Sequence, residues 1–126
     1  NPDAYLGGQG IKTIYDPCPP GYCVPRGNLY YYITNGGTNY GDASWNGTTY
    51  MRTWTKKFPH LSFPAAGNRS DSSGTSISNV SGNGYCWASS AGSAANARIL
   101  GLNSSNFNWN ISYRAYGFTV RPVAEK

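Results

Sequence analysis

Carboxylates are scarce in this sequence, five against ten Lys and Arg, and there is a single histidine. Asp3, Asp16, Asp42, Asp71 and Glu125 each stand alone in a turn, a loop or a terminus. Glycoside hydrolysis needs two facing carboxylates roughly 5–9 Å apart, and no two of these are placed to form a pair. Calcium takes six to eight oxygen ligands, normally with several carboxylates close together, so a calcium site is not expected. A Ser–His–Asp set would have to use His60, lodged between Pro59 and Leu61, and the Gly-x-Ser-x-Gly elbow is missing. No glycine-rich loop stands between a strand and a helix to cradle phosphate. The chain reads as non-catalytic, with no cofactor called for and His60 in a structural role.

Cysteine is also sparse. Cys18, Cys23 and Cys86 make an odd number, unusual for a secreted disulfide scaffold, and with one histidine they offer no zinc set. Cys18 and Cys23 have the spacing for a small disulfide loop over Pro19, Pro20 and Gly21. The alternative, which we favour, is that the cysteines are small buried hydrophobes.

Charged residues amount to 12%, about half the usual share, and hydrophobic residues to 39%. The longest apolar run is Leu29 to Ile33, too short to span a membrane. The net charge of +5 comes from basic residues scattered singly apart from Lys56-Lys57. With no basic stripe and no reading motif, nucleic acid is not expected as a partner.

What fills the chain is 16 Gly, many Ser, Asn and Thr, 11 Tyr and 4 Trp. Low charge with high aromatic content argues against disorder, and a single Glu with few Lys argues against a helical bundle, whose exposed faces are built from such residues. Residues 1–126 are enough for a single domain with a genuine core.

Along the chain, alternation predicts a strand over Gly10–Tyr15, then a rigid turn from Asp16 to Tyr22. Residues 25–33 begin a short helix or form a strand, and their Tyr and Ile content favours the strand. Residues 34–49 read as an irregular loop around Trp45. Tyr50, Trp54 and Phe58 recur at i, i+4 and i+8, which predicts one or two helical turns. Five short strands follow, over Leu61–Pro64, Thr75–Val80, Gly84–Ser89, Ala97–Leu102 and Gly117–Val123. Residues 91–100 are a competing helical candidate. The class is α+β, strand-dominated, with long ordered loops and one or two short helices.

Recognition needs rigid aromatics for contact area and amides or hydroxyls for adaptable hydrogen bonds, the composition of antibody paratopes. Residues 82–117 have that character. We therefore take Tyr85, Asn96, Arg98, Asn103, Asn108, Trp109, Tyr113 and Tyr116 as candidate ligand-binding residues. Trp109 and Phe107 fit a strand pair buried in the core equally well. Arg69, Arg114 and Arg121 are assigned to scaffold hydrogen bonding, and Trp87 and Phe118 to the core.

Several motifs are more specific. Lys12-Thr13-Ile14-Tyr15-Asp16-Pro17-Cys18-Pro19-Pro20-Gly21-Tyr22 followed by Val24-Pro25 resembles the opening of the Fibrobacter succinogenes major paralogous domain family. Phe63-Pro64-Ala65-Ala66-Gly67-Asn68-Arg69, the Gly84–Ser90 stretch around Trp87, and the closing Gly117-Phe118-Thr119-Val120-Arg121-Pro122-Val123 are similar to later motifs of that family. The resemblance implies a C-type-lectin-like fold, shared with formylglycine-generating enzymes and with the variable proteins of diversity-generating retroelements. It also implies a secreted or surface location in bacteria, in gut Bacteroidetes often as the C-terminal module after fimbrillin-like domains. Ligands would then be proteins or carbohydrates at the cell surface, with other pilus subunits as further partners. In the retroelement relatives, codons near the C-terminus are diversified while a closing Gly-Phe-x-Val-Arg stretch stays fixed. The Asn/Tyr/Ser-rich run before Gly117 has the look of such a segment.

The sequence departs from the related chemistries in two places. Trp45-Asn46 and Trp109-Asn110 are followed by Gly47 and Ile111, and the proline motifs of calcium-dependent sugar binding are missing. The oxidase relatives need a late reactive cysteine pair, where only Cys86 stands. The resemblance thus implies a calcium-free recognition domain, with a filament tip or assembly role as the alternative and an oxidase-like enzyme behind it.

Overall fold

The computed structural model describes residues 14–34, 43–54, 61–70, 72 and 76–124. Ten strands and one helix are found among them. They are β1 (Tyr22–Cys23), α1 (Gly27–Ile33), β2 (Ala43–Asn46), β3 (Met51–Trp54), β4 (Leu61–Pro64) and β5 (Asn68–Arg69). After these come β6 (Ile77–Ser78), β7 (Asn83–Ala91), β8 (Asn96–Asn103), β9 (Phe107–Tyr113) and β10 (Val123–Ala124). The α+β, strand-dominated class is as expected. Two antiparallel three-stranded sheets, β2-β3-β4 and β7-β8-β9, carry most of the structure, and the pairs β1-β10 and β5-β6 complete it.

The helix corrects the strand favoured for residues 25–33. Pro25 fixes the entry, Arg26 stays extended at the N-cap, and the chain then coils. Tyr30 is 1% exposed and Tyr32 is 68% exposed. Two residues apart, they would share one face of a strand; only helical spacing buries one and exposes the other. Packing of Gly27, Tyr30 and Ile33 against β7, β8 and β9 overrides the β-propensity of tyrosine.

Two more expectations are corrected in the next segment. Trp45 lies on a strand, β2, whose hairpin to β3 is closed by the Asn46 side chain accepting from the Thr48 and Thr49 amides. The helical turns expected from Tyr50 are instead β3, where alternation buries Arg52 and Trp54 and leaves Met51 and Thr53 half-exposed. A spacing of four fits a period of two as well as a helical one, which is why the aromatic interval misleads here. Residues 55–60, with Phe58 and His60, lie outside the described residues, as do Lys12, Asp3, Asp42, Asp71 and Glu125.

Strand Leu61–Pro64 is found as expected, and Gly84–Ser89 and Ala97–Leu102 form the centres of β7 and β8. The helical alternative for residues 91–100 is not adopted. Of the strand expected over Gly10–Tyr15, only Ile14 and Tyr15 are described, and they lie in an exposed turn. Gly117–Val123 is largely extended without strand pairing: it makes single bridges at Gly117 and Thr119 before β10. The strand expected over Thr75–Val80 shrinks to Ile77–Ser78 within the described residues.

The core lies between the inner face of β7-β8-β9, α1 and the β2-β3-β4 sheet, around Tyr30, Trp54, Phe63, Leu100, Leu102 and Phe107. Its aromatics meet edge to face: Trp54 lies 4.8 Å from Phe107 and 5.7 Å from Phe63, centroid to centroid. Arg52 is buried beside them and donates to the carbonyls of Ala43, Asn103 and Ser104 at 2.8–2.9 Å. It ties the β2-β3 hairpin to the β8-β9 turn.

The quoted motifs are the fastenings of this frame. Asp16 closes the opening turn, its carboxylate accepting from the Cys18 amide at 2.8 Å and the Val24 amide at 3.0 Å. That is a structural use of the acid. The closing stretch crosses the molecule: Gly117 exchanges backbone hydrogen bonds with Arg69, Thr119 with the β7 backbone, and Val123 pairs with Cys23. Arg121 lies over the Phe63 ring at 4.9 Å and donates to the Ser62 carbonyl. All three cysteines are free thiols, Cys18 and Cys86 buried and Cys23 half-buried, so the small disulfide loop is not formed.

Candidate functional site: an aromatic groove on the outer face of the β7-β8-β9 sheet

The register of β7, β8 and β9 decides which candidate residues can meet. Cys86 pairs with Leu100 and Leu100 with Trp109, so these side chains share the inner face. Tyr85 pairs with Gly101 and Gly101 with Asn108, on the outer face. The eight candidates are therefore divided between two sides of one sheet.

On the inner side, the Arg98 guanidinium lies 3.9 Å from the centroid of the Trp109 ring, and Tyr31 of α1 meets Trp109 edge-on at 5.3 Å. Burial pulls the Arg98 guanidinium below its ordinary pKa. Arg98 Nε and Trp109 Nε1 are buried without a hydrogen-bond partner. Trp109 thus packs against the core, as the buried alternative allowed, and Arg98 is its lid.

Two asparagines turn out to build turns. Asn103 Oδ1 accepts from the Ser105 and Asn106 amides at 2.8 and 2.9 Å, and its carbonyl accepts from Arg52. Asn96 donates to Ser93 Oγ at 3.1 Å while its carbonyl accepts from the Gly92 and Ser93 amides. Both side chains shape the β-turns that flank β8, the ordinary use of asparagine at such positions. Arg114 belongs with them, donating to the Ser93 carbonyl at 3.1 Å.

The remaining candidates gather on the outer side. Phe118, brought there by the closing motif, lies 4.7 Å from Tyr85, 4.6 Å from Trp87 and 5.5 Å from Tyr116, the last nearly parallel at 5°. Tyr113 has the parity of Trp109 along β9 and pairs with Asn96, so it starts from the opposite face; at the strand's end its ring comes within 6.5 Å of Tyr116 without lining the groove. Trp87 and Phe118 are half-buried members of this layer and do not belong to the central core. Glycine at 101, opposite Tyr85, leaves room for the ring: a Cβ there would touch Tyr85 at 3.9 Å and Asn108 Oδ1 at 3.3 Å.

Beside the rings is an open depression of about 230 Å³, lined by Asn68, Asn79, Tyr85, Ser112, Tyr116 and Phe118. Asn79 donates from its amide to Asn68 Oδ1 at 2.8 Å. Burial, and then the neighbouring Tyr116, raise the pKa of the Tyr85 phenol, so that phenol stays protonated at neutral pH. A second depression of about 270 Å³ adjoins it, with Asn68 and Phe118 in common and Ile77, Arg69 and Thr119 on its further walls.

Sequence reasoning missed Asn68, Asn79 and Ser112. Nothing local marks the first two: they come from the β5-β6 region, which is carried to the rings by the Arg69–Gly117 pairing and by the Gly67 and Asn83 amides bonding to the Asn83 and Asn79 carbonyls at the start of β7. Ser112 was legible in principle, since alternation along β9 puts it with Asn108 and Asn110. Among the described residues, those lining the groove include no carboxylate and no thiol. Cys86, on the opposite face, is 3% exposed, its thiol within 3.3 Å of Thr119 Oγ1 and raised in pKa by burial. No family model, curated protein or solved structure matches this chain.

Proposed function

We propose that this chain is a non-catalytic, calcium-independent recognition domain that holds protein or glycan ligands in the outer-face groove. The observation that carries this reading is the row Tyr85, Phe118 and Tyr116 set beside three neutral polar side chains, Asn68, Asn79 and Ser112, with Tyr113 at its end. Rigid aromatic area next to a few convergent hydrogen-bonding groups is what binding sites are made of.

The motif resemblance supports a C-type-lectin-like module on secreted or surface proteins of gut Bacteroidetes, and the antiparallel pairing of β1 near the start with β10 near the end fits such a closed frame. On this reading the closing motif holds Phe118 in place, and positions around it on β7, β9 and the Tyr113–Tyr116 turn face the ligand. Where relatives are diversified, variation belongs at Tyr85, Ser112, Tyr113 and Tyr116, and not at the turn-building Asn96 and Asn103.

Glycan and host-protein arrays, probed with and without EDTA, test the proposal. Hits that survive EDTA and vanish in a Tyr113→Ala/Tyr116→Ala variant are expected, since truncating a central aromatic of an interface costs about 2 kcal/mol or more. Binding that persists in the double variant would place the site elsewhere. A second reading, a filament tip or assembly domain, is favoured by the exposed apolar side of α1, with Leu29 40%, Tyr31 38% and Tyr32 68% exposed. It predicts pairing with sibling subunits and silence on both arrays.

A further inference from the structure

We infer that the outer-face groove takes two consecutive units of an uncharged oligosaccharide, one in each depression. The inference rests on the recognition reading above and narrows it to one ligand class.

The lining is chemically matched to sugar hydroxyls. Asn68, Asn79, Ser112, Tyr85 and Tyr116 are all neutral, and each side chain both donates and accepts hydrogen bonds. A sugar hydroxyl does the same, so every such group can be met twice. A carboxylate or phosphate would ask for donors alone and a compensating charge. The first depression offers no charged side chain, and Arg69 at the edge of the second already has a partner within the protein. The apolar component is flat: half-buried rings of Tyr85, Tyr116 and Phe118 suit the C–H face of a pyranose.

Size agrees with this. At about 230 and 270 Å³, each depression is smaller than the roughly 300–1,000 Å³ of pockets that enclose a drug-sized ligand. Each therefore matches one small ring. Asn68 and Phe118 line both, so they stand at the junction, where a glycosidic linkage between adjacent units would cross.

The lining is also rigid. Asn68 is held by the Asn79 amide, and its neighbours are pinned by Gly67–Asn83 at 2.8 Å and by the paired Arg69–Gly117 hydrogen bonds at 2.8 and 3.0 Å. Pre-organised polar groups lose little freedom on binding, which matters for weak, multi-hydroxyl ligands.

The test is isothermal titration of the intact chain with ladders of one to four units of neutral hexoses, N-acetylhexosamines and deoxyhexoses. For at least one ladder, the second unit should tighten binding about tenfold, and the third should change it by less than about threefold. Asn79→Gly removes the amide while keeping a residue suited to its φ of +60°, and should weaken the one-unit sugar about tenfold. Ile77→Asp should abolish the gain from the second unit and leave one-unit binding intact. Tyr32→Ser, on the exposed side of α1, should change nothing. Affinity that rises evenly through four units, or is unmoved by both groove variants, overturns the inference. If no ladder binds while the protein array gives EDTA-resistant hits, the sugar inference falls and the recognition reading stands. Silence on both removes the two together.

Discussion

Arg52 offers the sharpest test of how the frame is held. It is 6% exposed and donates to three main-chain carbonyls, one fully buried on Ala43 and two partly buried on Asn103 and Ser104. Hydrogen bonds to a charged group contribute about 1.5–3 kcal/mol each, with the partly buried pair at the lower end. Against their sum stands the cost of dehydrating the guanidinium, which also lowers its pKa. Arg52→Met keeps much of the stem against Phe107, removes the buried charge and leaves one carbonyl without water or partner. The net loss should be about 3 kcal/mol, a large part of the roughly 6–19 kcal/mol expected of a chain this long. Arg52→Lys should cost as much or more, because a point ammonium cannot reach three diverging acceptors and stays buried. Urea unfolding of the two variants gives both numbers. A methionine variant as stable as the parent would refute the reasoning, showing that the charge costs as much as its bonds return.

Three further outcomes follow from particular contacts. Gly67 has φ +76°, and a Cβ there would collide with the Ser78 carbonyl and lie 2.9 Å from the Val80 nitrogen. Gly67→Ala should cost about 2 kcal/mol or more and loosen ligand binding, because Asn68 and Asn79 move with the hairpin, as urea titration and array binding would show. Tyr30, Tyr85 and Cys86 all have pKa values raised by burial, so the folded state holds their protons longer than the unfolded chain does. Their stabilising contribution is whole below the ordinary thiol value of 9.0 and is lost as pH rises beyond it. Urea midpoints should hold from pH 7 to 8.5 and fall by pH 10.5. In the native protein an alkylating reagent should modify half-buried Cys23 well before Cys86, as peptide mapping would show.

Much of the sheet was readable because alternation is local. Burial along β7 alternates as its sequence does, and Ala97–Leu102 is the centre of β8, while β9 is foreseen only as one of two readings of Phe107 and Trp109. The helix at Gly27–Ile33 was not readable, since Tyr-Tyr-Tyr-Ile carries strand propensity and its helical facing is set by what packs beneath Tyr30 and Ile33. β3 misled for the opposite reason: an interval of four satisfies both the helical and the strand period. At the candidate groove, Tyr85 and Tyr116 could be picked out from sequence as adaptable aromatics. The turn roles of Asn96 and Asn103 were hidden, because asparagine serves turns and ligands with the same amide. Asn68 and Asn79 are joined to the aromatics through backbone contacts between segments apart in sequence, Gly67 with Asn83 and Arg69 with Gly117, the latter nearly fifty residues apart.

The central claim is that ligand sits on the outer face of β7-β8-β9, and amide chemical-shift mapping tests it directly. The tightest binder from the arrays, or failing one the neutral disaccharide set, would be titrated into uniformly ¹⁵N-labelled chain. The account predicts shifts concentrated at the side-chain amides of Asn68 and Asn79 and the backbone of Tyr85, Ser112, Tyr116 and Phe118. Shifts centred on Tyr31, Arg98 and Trp109 across the sheet, or none with any ligand, would contradict it.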